Sequence, residues 1–339
     1  MKKIWKVSLA VILSFVLAAC STDSGVDTNK QESDSTGYPI TIEHAFGQTV
    51  LDHKPERIAT VSWGNQDVPL ALGVVPVGVS KANNVGTVNK QGLRPWTQKV
   101  FEELGVSDPV VFDDTDGLDF EAIADTNPDV ILAAYSGLTQ EDYDTLSQIA
   151  PVIAYPEKPW QTLWRQQVLL DAKGMGMEAE GEQLVADTEK LIQDKCKEYP
   201  QLDGKSAAFI YLDTSDTGSF YVYLPKDPRA AYLTDLGLSF PKSLEDQVKD
   251  ADDYSISLSS EYADLLNDVD ILVTYGDSTT LDLLREDALF GKIKAIQRGS
   301  VVVLDKDGEL SGAATPTVLS IQATIDAYLK ELAKAADQI

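Results

Sequence analysis

Apolar residues in this chain fall in short unbroken runs set between polar stretches of helical spacing, the pattern of buried strands alternating with amphipathic helices. The runs occupy residues 57–62, 76–79, 130–134, 152–155, 205–212, 220–223, 271–274 and 301–304. Residues 40–50 read instead as a hairpin with Gly47 at its turn. Helices are predicted over 67–72, closed by Gly73, over 139–149, and over a terminal amphipathic stretch from Thr317 to about Ala335. The longest stretch of helix-forming composition is 161–198, interrupted around 173–176, with Leu184, Val185, Thr188, Leu191 and Ile192 at helical spacing in its second half. Residues 81–96 are polar, contain glycine and read as a binding loop.

One unit of this pattern recurs. Residues 118–137, LDFEAIADTNPDVILAAYSG, return in degenerate form as 258–276, LSSEYADLLNDVDILVTYG. Each copy offers an N-cap candidate, Asp119 or Ser259, then a glutamate, Glu121 or Glu261, whose charge complements the positive end of the helix dipole. A short helix, a buried strand and a terminal tyrosine, Tyr135 or Tyr275, complete each copy. Two copies predict two α/β lobes of related design. Because strands alternate with helices, their sheets should be mainly parallel.

Length and composition agree with two lobes, since 339 residues with 43% hydrophobic content suffice for two cores. The expected boundaries are an N-terminal lobe over 38–170, a linking helix over 171–200 and a C-terminal lobe over 201–339. Lys2, Lys3 and Lys6 precede an apolar run that leads into a small-residue cleavage site at Cys20. Residues 1–19 therefore read as a lipoprotein signal peptide, with Cys20 as the lipid-bearing residue and 20–37 as a flexible polar tether. The expected location is extracytoplasmic, anchored to the cell membrane by the N-terminal lipid. Cys196 is the only other cysteine, so no disulfide forms within the mature chain. A net charge of -26 argues against nucleic acid and anionic lipid as partners.

Catalytic chemistry lacks its usual parts. The two histidines, His44 and His53, both lie near the hairpin, and none follows the Gly276-Asp277-Ser278 stretch to complete a hydrolase triad. Neither a G-x-S-x-G elbow nor a glycine-rich phosphate loop occurs. So few imidazoles do not make a dedicated metal site, and no cofactor or catalytic residue is assigned. A metal, if involved, arrives wrapped in its own chelator. What the chain does offer, at predicted strand ends and loops, is Trp63, Arg94, Trp96, Tyr135, Trp160, Tyr221, Tyr223, Arg229 and Tyr275. Rings and guanidinium groups of this kind suit a broad, polarisable ligand bearing acceptor oxygens. Trp164 sits at helical spacing, so a core position competes for it, and also for one of Tyr221 and Tyr223.

Four stretches carry a resemblance: KPERIATVSWGNQDVPLALGVVPVGV at 54–79, residues 118–137 above, TLSQIAPVIAYP at 145–156 and ATPTVLSIQATID at 314–326. In this order, behind a lipoprotein-type leader and a polar tether, they resemble the iron-siderophore group of ABC-transporter substrate-binding proteins over nearly all of the chain from Tyr38. The resemblance implies two α/β lobes joined by one long helix, little change of shape on binding, and a shallow cleft between the lobes for a ferric siderophore. It further implies delivery to an ABC permease dimer whose arginines pair with a glutamate from each lobe, here Glu121 and Glu261. A monomer is expected. Haem and cobalamin binders share the architecture and give the alternative ligand, while an extracytoplasmic α/β enzyme is the rival from another class. With only two or three arginines well placed, a hydroxamate-type chelate is expected over a trianionic catecholate.

Overall fold

A computed structural model describes residues 37–213 and 215–339. The expected signal peptide, Cys20 and all but the last residue of the tether lie outside the described residues.

The chain opens with the hairpin β1 (Ile40–His44) and β2 (Gly47–Leu51), paired antiparallel around Ala45 and Phe46, so that Gly47 begins the second strand. The first lobe follows as β3 (Ile58–Thr60), α1 (Asp67–Ala71), β4 (Gly78–Ser80), α2 (Pro95–Glu103), β5 (Val111–Phe112), α3 (Phe120–Asp125), β6 (Val130–Ala133), α4 (Gln140–Leu146) and β7 (Val152–Ala154). Its sheet has the order β5-β4-β3-β6-β7 and is parallel throughout. Covered on both faces, β3, β4, β6 and β7 are buried along their whole lengths, as their unbroken apolar runs require.

Helices α5 (Trp164–Gly174) and α6 (Glu178–Cys196) then carry the chain across, with the break at Met175 to Met177 where Gly176 adopts a positive φ. The second lobe comprises β8 (Ala207–Tyr211), β9 (Ser219–Tyr223), α7 (Pro228–Asp235), α8 (Lys242–Val248), β10 (Ser255–Ser259), β11 (Ile271–Gly276), α9 (Thr280–Glu286), α10 (Lys294–Arg298), β12 (Val301–Asp305), α11 (Glu309–Ala313) and α12 (Val318–Ala336). Here the order is β10-β9-β8-β11-β12. Strands β8, β11 and β12 pair in parallel, whereas β9 and β10 add an antiparallel edge.

The repeat survives with one difference. Asp119 caps α3 by accepting from Ala122 N at 3.0 Å, and Ser259 accepts from Glu261 N at 3.4 Å. The helical part of the second copy is a 3-10 helix, Ser260–Asp268, and its N-cap Ser259 is also the last residue of β10. Strand β10 has no apolar run to announce it: SISLS alternates, because only one neighbour pairs with it and its faces are half open.

The largest apolar cluster passes through both lobes. It is continuous because α12, buried over most of its length, packs on α1 and α2 of the first lobe, on β11 and β12 of the second, and on α6. The lobes are therefore tied by two elements, α6 along the chain and α12 through space. Smaller clusters fill the other face of each sheet, around Phe112, Ile131 and Leu146 in the first and Phe220, Leu266 and Phe290 in the second.

Candidate functional site

Parallel strands place their successors at one edge of a sheet, and ligands gather at that carboxyl edge. Strand β3 delivers Trp63 there, β6 delivers Tyr135, and the segment after β7 delivers Trp160. The indoles of Trp63 and Trp160 stack at 4.7 Å and 29°, and Tyr135 meets Trp160 edge-on at 5.4 Å. The pair is held deliberately. Ser62 and Trp160 both sit at positive φ, 63° and 62°, a conformation costly for residues with a Cβ. Trp160 N donates to Ser136 O at 3.0 Å, Trp63 Nε1 donates to Asn83 Oδ1 at 2.7 Å, and Gly137 lies so close that a Cβ there would come within 2.4 Å of the Trp160 ring.

The second lobe supplies the opposite wall. Tyr223, at the end of β9, lies under the Arg229 guanidinium at 3.8 Å, and Tyr223 and Tyr275 both pack against Phe209. Arg229 donates through Nε to Asp227 Oδ1 at 2.8 Å and through Nη2 to Asp227 Oδ2 at 2.6 Å, and Asp227 is fully buried. Burial opposes the charge on Arg229, but its hydrogen bonds to Asp227 and that carboxylate's charge outweigh it and hold the guanidinium pKa well above its ordinary value. Burial raises the phenol pKa of Tyr135 and Tyr275, and pushes that of Tyr223 up to about 12. These rings remain neutral hydrogen-bonding groups at physiological pH.

Between the two walls lies a cavity of about 40 Å³, lined from the first lobe by Trp63, Asp67, Arg94 and Tyr135 and from the second by Pro228, Gly312 and Thr317. On the far side of the tryptophan pair an open pocket of about 240 Å³ is bounded by Lys81, Asn83, Asp114, Leu118 and Asp142. Beneath both sits a polar floor. Asn65 accepts from Tyr135 N and from Gln167 Nε2 while donating to Val61 O and Tyr135 O, which fixes the backbone that presents Tyr135.

The structure thus groups Trp63, Tyr135 and Trp160 on the first lobe and Tyr223, Arg229 and Tyr275 on the second, with Tyr135 within electrostatic reach of Arg229 and Tyr275. Arg94 is adjacent but buried, and three of its five N–H donors go to Asn84 Oδ1, Val85 O and Thr87 O. Burial pulls its pKa down to about 10 against the attraction of Asp67. Trp96 belongs to α2 rather than to the loop before it, is buried, and donates to Asp67 Oδ2 at 2.9 Å. Tyr221 shares a face of β9 with Tyr223 but is 42% exposed and meets Tyr211 at 6.2 Å. Trp164 is buried in α5 and donates to Asp235. Glu121 and Glu261 are exposed in the first turns of their helices, one on each lobe.

Three residues of this region carry no one-dimensional signal. Asp67 reads in sequence as an ordinary first-turn acid, yet it is fully buried, accepts from Trp96, Thr97 and Thr317, and has its pKa pushed up to about 6 by burial against those bonds. Asp227 reads as a plain N-cap, and Asn65 as a loop polar residue.

The periplasmic binding protein family model matches residues 58–307. Among characterised sequences, the chain is 27% identical over 324 residues to the putative ABC transporter substrate-binding lipoprotein YhfQ of Bacillus subtilis, covering 90% of this chain and 91% of that one. It is 23% identical to the iron(3+)-hydroxamate-binding protein YxeB of the same organism, covering 90% of each. Among solved structures, PiaA of Streptococcus pneumoniae in complex with ferrichrome is 50% identical, covers 88% of this chain and 99% of its own, and superposes with a TM-score of 0.85.

Proposed function

The chain belongs to the periplasmic binding protein family, in its iron-siderophore group, and from that premise we propose that it captures a ferric siderophore outside the membrane and hands it to an ABC importer. The family is one of binding proteins, not enzymes, so the work of the site is recognition. The observation that carries the reading is a set of aromatic and guanidinium groups on both lobes: a stacked tryptophan pair with Tyr135 on one, and two tyrosines with an arginine on the other, Arg229 and Tyr275 close enough to act electrostatically on Tyr135. A ferric chelate presents apolar flanks and outward carbonyl oxygens, which rings and an N–H fork engage together. The 50% identical structure holding ferrichrome and the hydroxamate-binding relative support a hydroxamate-type ligand.

In this reading Trp63, Tyr135, Trp160, Tyr223, Arg229 and Tyr275 contact the ligand, while Arg94 and Trp96 frame the cleft from beneath. Tyr221 is the ligand residue least supported, because it is exposed and pairs with Tyr211 rather than with Phe209, Tyr223 or Tyr275. The lobes at 38–170 and 201–339, joined through 171–200, stay at nearly fixed separation, as the double tie of α6 and α12 favours. Cys20 carries the lipid that keeps the protein, a monomer, at the membrane, and Glu121 and Glu261 dock to the permease dimer. No nucleic acid is involved.

Titration of the soluble chain, followed by tryptophan fluorescence, tests the reading. Ferric hydroxamates should quench at micromolar concentration, because Trp63 and Trp160 lie in the cleft. Quenching by haem or cobalamin alone would transfer the assignment to those ligands, and a flat response to every ferric chelate would end it.

A further inference from the structure

Charge in the cleft is balanced residue by residue. Arg229 is the cation that faces the aromatic enclosure, and the fully buried Asp227 grips it through both carboxylate oxygens. Arg94, deeper, is faced by the buried Asp67. At the mouth, Lys81 pairs with Asp113 at 3.3 Å, and the same pocket is bounded by Asp114 and Asp142 without further cations. A guanidinium needed only to bind an anionic ligand would gain from standing unpaired, since a buried partner carboxylate cancels most of its field at the ligand. Asp227 is also costly to bury and would not be required merely to begin α7, for which a serine or threonine serves as well.

We propose that Asp227 is a specificity-determining residue: by cancelling the charge of Arg229 it restricts the cleft to electrically neutral ferric chelates and excludes anionic ones. The inference rests on the siderophore-binding role proposed above and names the charge class of the ligand. Arg229 then acts as a directional donor to ligand oxygens, while exclusion comes from the lack of net positive charge between the lobes, reinforced by Asp114 and Asp142 at the mouth.

The test compares affinities for ferrichrome, an uncharged ferric hydroxamate, and ferric dicitrate, an anion, in the wild-type soluble chain and in Asp227→Asn. Wild type should prefer ferrichrome, and the variant should shift the affinity ratio toward ferric dicitrate by ~10-fold or more, the size expected when one close charge is uncovered. Asp227→Ser keeps the helix cap and serves where the asparagine variant misfolds. Adding Arg229→Gln to either variant should return the ratio to the wild-type value, whatever happens to absolute affinity. A ratio unchanged in folded Asp227 variants overturns the inference, as does a wild type that binds both chelates equally. A wild type that binds no ferric chelate overturns the proposed function and this inference with it, so the two failures are distinct.

Discussion

Asp67, in the first turn of α1, accepts a hydrogen bond from the hydroxyl of Thr317, the residue that caps α12. The two belong to the stretches 54–79 and 314–326 and lie 250 positions apart. The same carboxylate accepts from Trp96 Nε1 at 2.9 Å and Thr97 Oγ1 at 2.8 Å, so a single acid joins α1, α2 and α12 under the cleft.

Removing that acid leaves four buried donors, Gln66 Nε2 among them, without their acceptor. Asp67→Ala should therefore destabilise the chain by ~2–4 kcal/mol at neutral pH, the range for breaking a buried charged network from one side. Urea unfolding of the soluble chain measures it. A double-mutant cycle with Thr317→Val should give a coupling above ~0.5 kcal/mol, and strict additivity would show that the bond does not join the lobes energetically.

Asp171 on α5 is fully buried, and neither carboxyl oxygen makes a hydrogen bond within ordinary limits. Burial raises its pKa well above the usual carboxylate range, and the backbone of Ala134 opposes this only in small part. An acid whose pKa is higher folded than unfolded binds its proton more tightly in the folded state, so its contribution to stability is lost as pH rises above the unfolded value near 3.8. Asp67 acts with the same sign between that value and about 6. Asp171→Asn, neutral at every pH, should raise the melting temperature at pH 7 and raise it less at pH 4.5. An equal gain at both pH values would show that Asp171 is not titrating in this window.

Gly137 lies against the indole of Trp160, and its φ is not in the left-handed region, so alanine is excluded there by space alone. Gly137→Ala places a methyl group within 2.4 Å of the ring and forces Trp160 off its stack with Trp63. Ferrichrome affinity, measured calorimetrically, should fall by ~10-fold, the worth of one well-placed aromatic contact, while apo stability changes by less than ~1 kcal/mol. Unchanged affinity would place the ligand away from the tryptophan pair.

The two lobes were legible in sequence because burial on both faces writes strands such as β6 and β11 as unbroken apolar runs. The N-caps at Asp119 and Ser259 were legible because capping is local. Strand β10 was not, since an edge strand with half-open faces needs no such run. Among the candidate site residues, Trp63, Tyr135 and Tyr275 stand at the strand ends where their sequence positions put them. Trp96 sits beside Arg94 in sequence, but Pro95 opens α2 there and turns the indole inward to Asp67. Asp67 and Asp227 escaped for a common reason: each has a sufficient local explanation as a helix-start acid, and only three-dimensional contact with Thr317 or with the Arg229 side chain in the cleft reveals another role.

Glu121 and Glu261 stand exposed in first turns on separate lobes, and the folding of the chain gives neither a structural partner that charge reversal would break. Each instead holds one negative charge at the surface, which under the proposed docking a two-fold permease with matching cations would engage. Glu121→Lys or Glu261→Lys alone should cut siderophore-dependent iron uptake in cells by ~10-fold or more, and the pair should abolish it. Lysine at a helix start opposes the dipole and costs under ~1 kcal/mol, too little to unfold the protein. Ferrichrome affinity of the purified variants should equal that of wild type, because neither glutamate lines the cleft pockets beside the tryptophan pair. Loss of uptake together with loss of affinity would mean that the substitutions damaged the cleft, and uptake unchanged by both reversals would remove these glutamates from docking altogether.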